Sequence, residues 1–140
     1  MHSPLYIAGL GCRKGCSAEE LLALLQAALV QSKLVFAELA GLATSEHKQA
    51  EAGLLRLSEQ TGLTLALLSA AELDRYDARL EQRSTLSLSI TGSAGVAESS
   101  ALAQAERLSG QPARLLCPKI RSANATCAIA VSPIAPEEVA

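Results

Sequence analysis

The residues best suited to chemistry fall in four short polar stretches. In Gly9-Leu10-Gly11-Cys12-Arg13-Lys14-Gly15, three glycines and two adjacent cations precede a helix start at Ser17. Unpaired N–H groups and the helix dipole favour an anion at such a start, and Arg13 can grip a carboxylate with two parallel hydrogen bonds. A tight turn with solvated cations fits the same residues. Two nucleotide motifs fail: a dinucleotide fingerprint needs glycine where Lys14 stands, and a phosphate loop needs lysine after its last glycine. Thr44 to Glu51 adds mixed charge, with Lys48 and Glu51 spaced to meet on one helical face as a cleft pair or a surface pair. His47 has no second ligand or carboxylate at useful spacing, so it is expected to be neither a base nor a metal ligand. Thr91-Gly92-Ser93-Ala94-Gly95-Val96-Ala97-Glu98 is a second glycine-punctuated helix entry, where Glu98 faces a ligand or merely complements the dipole. Lys119 and Arg121 supply further cations, on a ligand rim or in a solvated hairpin-like loop. No nucleophile–base–orienter set can be assembled. The pattern suits binding of a multiply anionic small molecule better than any one reaction.

Composition narrows the partners. The chain has 140 residues, 12 Lys+Arg against 14 Asp+Glu, and a formal net charge of −2, which argues against a general phosphate-backbone binder. Only Tyr6, Phe36 and Tyr76 are aromatic, too few rings for stacking bases, so no nucleic acid is expected. The longest uncharged helical stretch, Leu21 to Ser32, falls well short of the ~20 residues a membrane span needs. No basic region opens the chain, so no signal, no membrane and a cytoplasmic location are expected. Cys12, Cys16, Cys117 and Cys127 lack a disulfide or zinc spacing and are expected to be reduced thiols that hold no metal.

The elements that must position these groups alternate. A strand at Leu5 to Ala8 leads into a helix from Ser17, with Glu20 completing a capping box. A strand over Glu38 to Thr44 precedes a helix from about Lys48 to Gln60, ended by Gly62. Leu63 to Leu68 is a strand, and Ser69 with Glu72 opens another helix through a second capping box. Glu81 to Ile90 alternates Leu86, Leu88 and Ile90 with serines, as an edge strand or a loop. A helix over Ser93 to Leu108 repeats Ala97, Ala101 and Ala105, and Gly110-Gln111-Pro112 breaks it. Arg114 to Cys117 and Ala125 to Val131 are the last strands. The fold class predicted is α/β: a three-layer sandwich with a mainly parallel sheet of about five strands and helices on both faces. Residues 1–131 form one domain, and 132–140 a loose tail. Ligands in such sheets collect outside the carboxyl ends of the strands, where all four polar stretches fall.

The motifs also have a familiar order. Gly9-Leu10-Gly11-Cys12-Arg13-Lys14-Gly15, then Lys48, Glu51 and Gly53-Leu54, then Thr91-Gly92 with Val96-Ala97-Glu98, then Pro118-Lys119 and Thr126 to Ala130 resemble the CobE / CbiG C-terminal domain family. The match runs from Ile7 to about Ala130. The resemblance implies a compact three-layer α/β domain working in cobalamin (vitamin B12) biosynthesis, where the corrin ring is built. CbiG-type proteins are associated with opening the δ-lactone of cobalt-precorrin-5A and releasing acetaldehyde, and carry this domain behind further N-terminal sequence. This chain looks like the domain standing alone, so binding or channelling of a precorrin or corrinoid intermediate is expected, with other enzymes of the pathway as further partners. The alternatives are a precorrin δ-lactone hydrolase and an α/β nucleotide-binding module. The ligand-binding set is then Gly9, Gly11, Cys12, Arg13, Lys14, Gly15, Thr44, Lys48, Glu51, Thr91, Gly92, Glu98 and Lys119. Lys48, Glu51 and Glu98 would carry chemistry if any occurs, and no cofactor or metal is expected. Lys48 and Glu51 should line the same cleft as the glycine loop.

Overall fold

The computed structural model describes residues 4–48, 50–81 and 95–132. Strand β1 (Leu5–Cys12) is followed by α1 (Ala18–Ser32), β2 (Leu39–Ser45), α2 (Ala52–Thr61), β3 (Leu65–Leu68) and α3 (Ala70–Glu81). After residue 95 come α4 (Val96–Ser109), β4 (Arg114–Arg121) and β5 (Ala125–Ser132). Glu81 ends α3, and the rest of the element expected over Glu81 to Ile90, the residues Thr91 and Gly92, and positions 133–140 lie outside the described residues.

The five strands form one sheet in the order β3-β2-β1-β5-β4. The sheet is mixed, which corrects the mainly parallel expectation: β1, β2 and β3 run parallel, while β5 is antiparallel to both β1 and β4. The reason is chain length. Parallel neighbours need a crossover of about a dozen residues or more, and only Ser122 to Asn124 separates β4 from β5, so the two must form a hairpin. Its turn is closed by Ser122 N–H donating to the Ala125 carbonyl at 2.9 Å. β4 extends past the predicted Cys117 to Arg121 and tolerates Pro118 because it is an edge strand whose register slips between Cys117 and Ile120. Ser132, expected to begin the tail, instead ends β5 and is buried, its hydroxyl 2.6 Å from that of Ser109.

Helices cover both faces. Ala8, Leu10, Leu42 and Ile129 on one face pack with Leu21, Leu25, Leu54 and Leu57 of α1 and α2. Ile7, Ala43 and Ala130 on the other pack with Leu73, Ala101, Leu102 and Ala105 of α3 and α4. Alanines let α4 lie close to β1, and Gly9 takes this to the limit: a Cβ there would sit 1.9 Å from the Ala97 carbonyl oxygen. Among the described residues, no helix is long and apolar enough to cross a membrane.

Local stops follow the sequence closely. Ser17 caps α1, its Oγ accepting from Glu20 N–H at 3.1 Å, and Gly62 ends α2 in the left-handed region. Ser69 and Glu72 form the full reciprocal box: Glu72 N–H donates to Ser69 Oγ at 3.2 Å, and Ser69 N–H to Glu72 Oε1 at 3.1 Å. Helix α2 begins at Ala52, not Lys48. Glu46–Lys48 is a short 3-10 turn and Glu51 is the extended cap residue, so Lys48 and Glu51 do not share a helical face.

Candidate functional site

The carboxyl ends of β1 and β4, the hairpin tip and the start of α4 meet at one edge of the sheet. They enclose a cleft of about 450 Å³ lined by Gly11, Cys12, Arg13, Gly95, Val96, Lys119, Arg121 and residues 122–126. That volume lies in the usual range for small-molecule sites, roughly 300–1,000 Å³. Pairing of Gly11 with Thr126 and of Cys12 with Ala125 brings the hairpin beside the glycine loop. Arg13 N–H donating to the Asn124 carbonyl at 2.8 Å then joins loop to tip. Gly95 enters α4 at φ 111°, a conformation that favours glycine, and the Lys119 side chain crosses above it, its Nζ 3.1 Å from where a Cβ would sit.

Three carboxylates hold main-chain donors in or beside the walls. Glu98, in the first turn of α4, accepts from Lys119 N–H at 2.9 Å. Glu51 accepts from Gly15 N–H at 2.8 Å and so steadies the glycine turn, where Gly15 sits at φ 85°. Glu20 accepts from Asn124 N–H at 2.7 Å, from Asn124 Nδ2 at 3.0 Å and from the Ser122 hydroxyl. The Ser122 hydroxyl, then Asn124, hold the Glu20 carboxyl below the usual carboxylate range.

Gly11, Cys12, Arg13 and Lys119 thus line the cleft. Lys14, Gly15, Lys48 and Glu51 stand outside its lining, although Glu51 does reach the glycine loop and the charges of Lys48 and Glu51 both act on the Cys12 thiol. Glu98 acts from behind Lys119. Gly9 and Thr44, expected at the ligand, are packed in the core: Gly9 lies beneath α4, and fully buried Thr44 donates its hydroxyl to the Leu10 carbonyl at 2.7 Å. Sequence reasoning missed Glu20, Ser122, Asn124 and Thr126 as individual contributors. The available signal was Ser122-Ala123-Asn124, turn chemistry between two apolar strands.

The four cysteines are free thiols. Burial pushes Cys12 up, and it pushes Cys16 up to about 11, with Glu20 adding to the rise. Cys127 is pushed higher still by burial in the core. Among the described residues, no group of three or more His, Cys, Asp or Glu could hold a metal ion.

The fold and site together define a three-layer α/β domain with a mixed sheet and a cation-bearing cleft at its carboxyl edge. The chain belongs to the cobalamin synthesis G C-terminus family, whose model matches residues 6–130. It is 34% identical over 124 residues to Protein CobE of Sinorhizobium sp, covering 89% of this chain and 78% of that one. A crystal structure of CobE, a protein from the cobalamin (vitamin B12) biosynthetic pathway, superposes with a TM-score of 0.81 at 43% identity, over 91% of this chain and 90% of that one. A cobalt-precorrin-5A hydrolase from Priestia megaterium is 30% identical over 125 residues, covering 89% of this chain but 32% of the hydrolase.

Proposed function

We propose that the chain binds a precorrin or corrinoid intermediate of cobalamin biosynthesis at the carboxyl-edge cleft and passes it to a neighbouring enzyme of the pathway. The observation that carries this reading is the grouping of Arg13, Lys119 and Arg121 around one cleft beside the start of α4. Such intermediates carry several acetate and propionate side chains on a large, mostly apolar ring. Guanidinium groups suit those carboxylates through paired hydrogen bonds. The local cluster matters more than the net charge of −2, because potential is set by nearby charges and screened over about 8–10 Å in salt.

Hydrolysis of a δ-lactone is the second reading, favoured by the relationship to the Priestia megaterium enzyme, of which the chain spans about a third. The geometry supports binding more than chemistry. Glu51 and Glu98 each commit an oxygen to a main-chain N–H, a positioning role that leaves neither aimed as a base by its partners. Purified protein incubated with precorrin and corrinic acid intermediates tests both readings. Retention of a coloured ligand of unchanged mass through gel filtration is expected. A ligand that gains water and loses acetaldehyde would establish the hydrolase, and no retention would end the binding reading.

A further inference from the structure

Glu20 has the sequence setting of a residue that caps its own helix, yet only half of that box forms. Its N–H donates to Ser17 Oγ, while its carboxylate turns to the β4–β5 hairpin, 104 residues further along the chain at Asn124. There it meets three donors, the Asn124 N–H and side-chain amide and the Ser122 hydroxyl. The contact does not stop at the tip. The Asn124 carbonyl accepts from Arg13 N–H, so one carboxylate on α1 organises, through one asparagine, both the wall that carries Arg121 and the wall that carries Arg13. Arg13 and Ser122 to Asn124 lie outside the strands, Arg121 being the last residue of β4, and a three-residue tip without such ties is freer to reorient.

We infer that Glu20 is a positioning residue for the cleft: by clamping Asn124 it sets the spacing between Arg13 and Arg121, and with it the spacing of ligand carboxylates the site accepts. This rests on the polycarboxylate reading of the site. Charge matters as well as shape, since a carboxylate can accept all three donors whereas a glutamine oxygen offers fewer acceptor positions.

The test compares Glu20→Ala and Glu20→Gln with the unaltered protein, using a cobalt-free corrinic acid as ligand and amide hydrogen exchange as an independent readout. In Glu20→Ala, the Asn124 and Arg13 amides should exchange about tenfold faster or more, with the β1–β5 ladder unchanged, and affinity should drop about tenfold. Glu20→Gln should recover part of both, because it keeps an acceptor for the Asn124 N–H. Unchanged exchange at Asn124 and Arg13, unchanged affinity in Glu20→Ala, or a uniform loss of protection across the sheet would each overturn the assignment. If the unaltered protein binds no corrinic acid, the ligand reading fails alone, and selective loss of protection at Asn124 and Arg13 still supports the clamp.

Discussion

Two clefts in this molecule use the same kinds of residue and dispose of their charge differently. The larger, about 640 Å³, lies between α3 and the second half of α4 and includes Glu72, Arg75, Tyr76, Glu106 and Arg107. There, side chains satisfy one another: Arg107 pairs with Glu72 at 2.9 Å, and the Tyr76 hydroxyl donates to Glu106 at 2.8 Å. The other Glu106 oxygen accepts from Ala113 N–H, also at 2.8 Å. At the carboxyl edge, the carboxylates are engaged by main-chain donors and, for Glu20, also by the Ser122 hydroxyl and the Asn124 amide. Among the described residues, no carboxylate pairs with Arg13 or Arg121, and both are exposed. The smaller cleft therefore offers positive charge to an incoming anion, whereas the larger one serves to dock α3 on α4. Size is a poor guide here; uncommitted charge is the better one.

The contrast disappears if the helix common to both regions moves. Gly9→Ala would set a methyl group against the Ala97 carbonyl and push α4 off β1, at a cost of about 3 kcal/mol or more. Denaturant unfolding measures this, and a variant as stable as its parent would show that α4 can shift freely. The next effect should separate the regions. Replacing Arg13 and Arg121 together with alanine should weaken corrinic acid binding about tenfold or more, with stability nearly unchanged because both are exposed. Arg75→Ala with Arg107→Ala should leave binding as it was. Equal losses in the two pairs would erase the distinction drawn between the clefts.

Acid probes both regions at once. Main-chain hydrogen bonding from Ser69, then Arg107, holds the Glu72 carboxyl below its ordinary 4.5, and Ser122 and Asn124 do the same for Glu20. With a folded-state pKa below the unfolded one, the unfolded chain binds protons more tightly. The stabilisation is complete above pH 4.5 and is lost as the pH falls through the lower folded values. Melting temperature followed downward from pH 6 should decline in that window, and Glu72→Gln should make the decline shallower. A variant that tracks its parent would remove Glu72 from the explanation. The smallest change expected is Arg107→Ala alone, below ~1 kcal/mol, because the arginine side chain is 52% exposed and its pair is screened by solvent. A larger loss would mean that the α3–α4 contact depends on that pair more than its exposure allows.

Local features were legible where one residue's own conformation decides the outcome. Ser17, Ser69 with Glu72, Gly62 and Gly110 all terminate helices as their types require. Layering on both faces also followed from the alternation of strands and helices. Less visible was what each glycine is for: Gly9 and Gly15 sit in one motif, yet Gly9 admits a helix backbone and Gly15 supplies a turn at positive φ. Nothing local tells a glycine needed for close approach from one needed for conformation. The strand direction of β5 could have been read from the short gap before it. The destination of the Glu20 carboxylate could not, because a perfectly good local partner was available and tertiary packing supplied a better one.

The position of β5 has a consequence for how the domain comes into being. It is wedged between β1 and β4, so the middle of the sheet stays open until β5 itself has been synthesised. Gly11 must find Thr126 across 115 residues, a non-local pairing of the kind that slows folding. The nascent protein would expose the flank of β1 to other chains during that wait, a stage when aggregation competes. The cleft, drawn from β1, the start of α4 and the β4–β5 hairpin, comes into existence only when β5 pairs with β1.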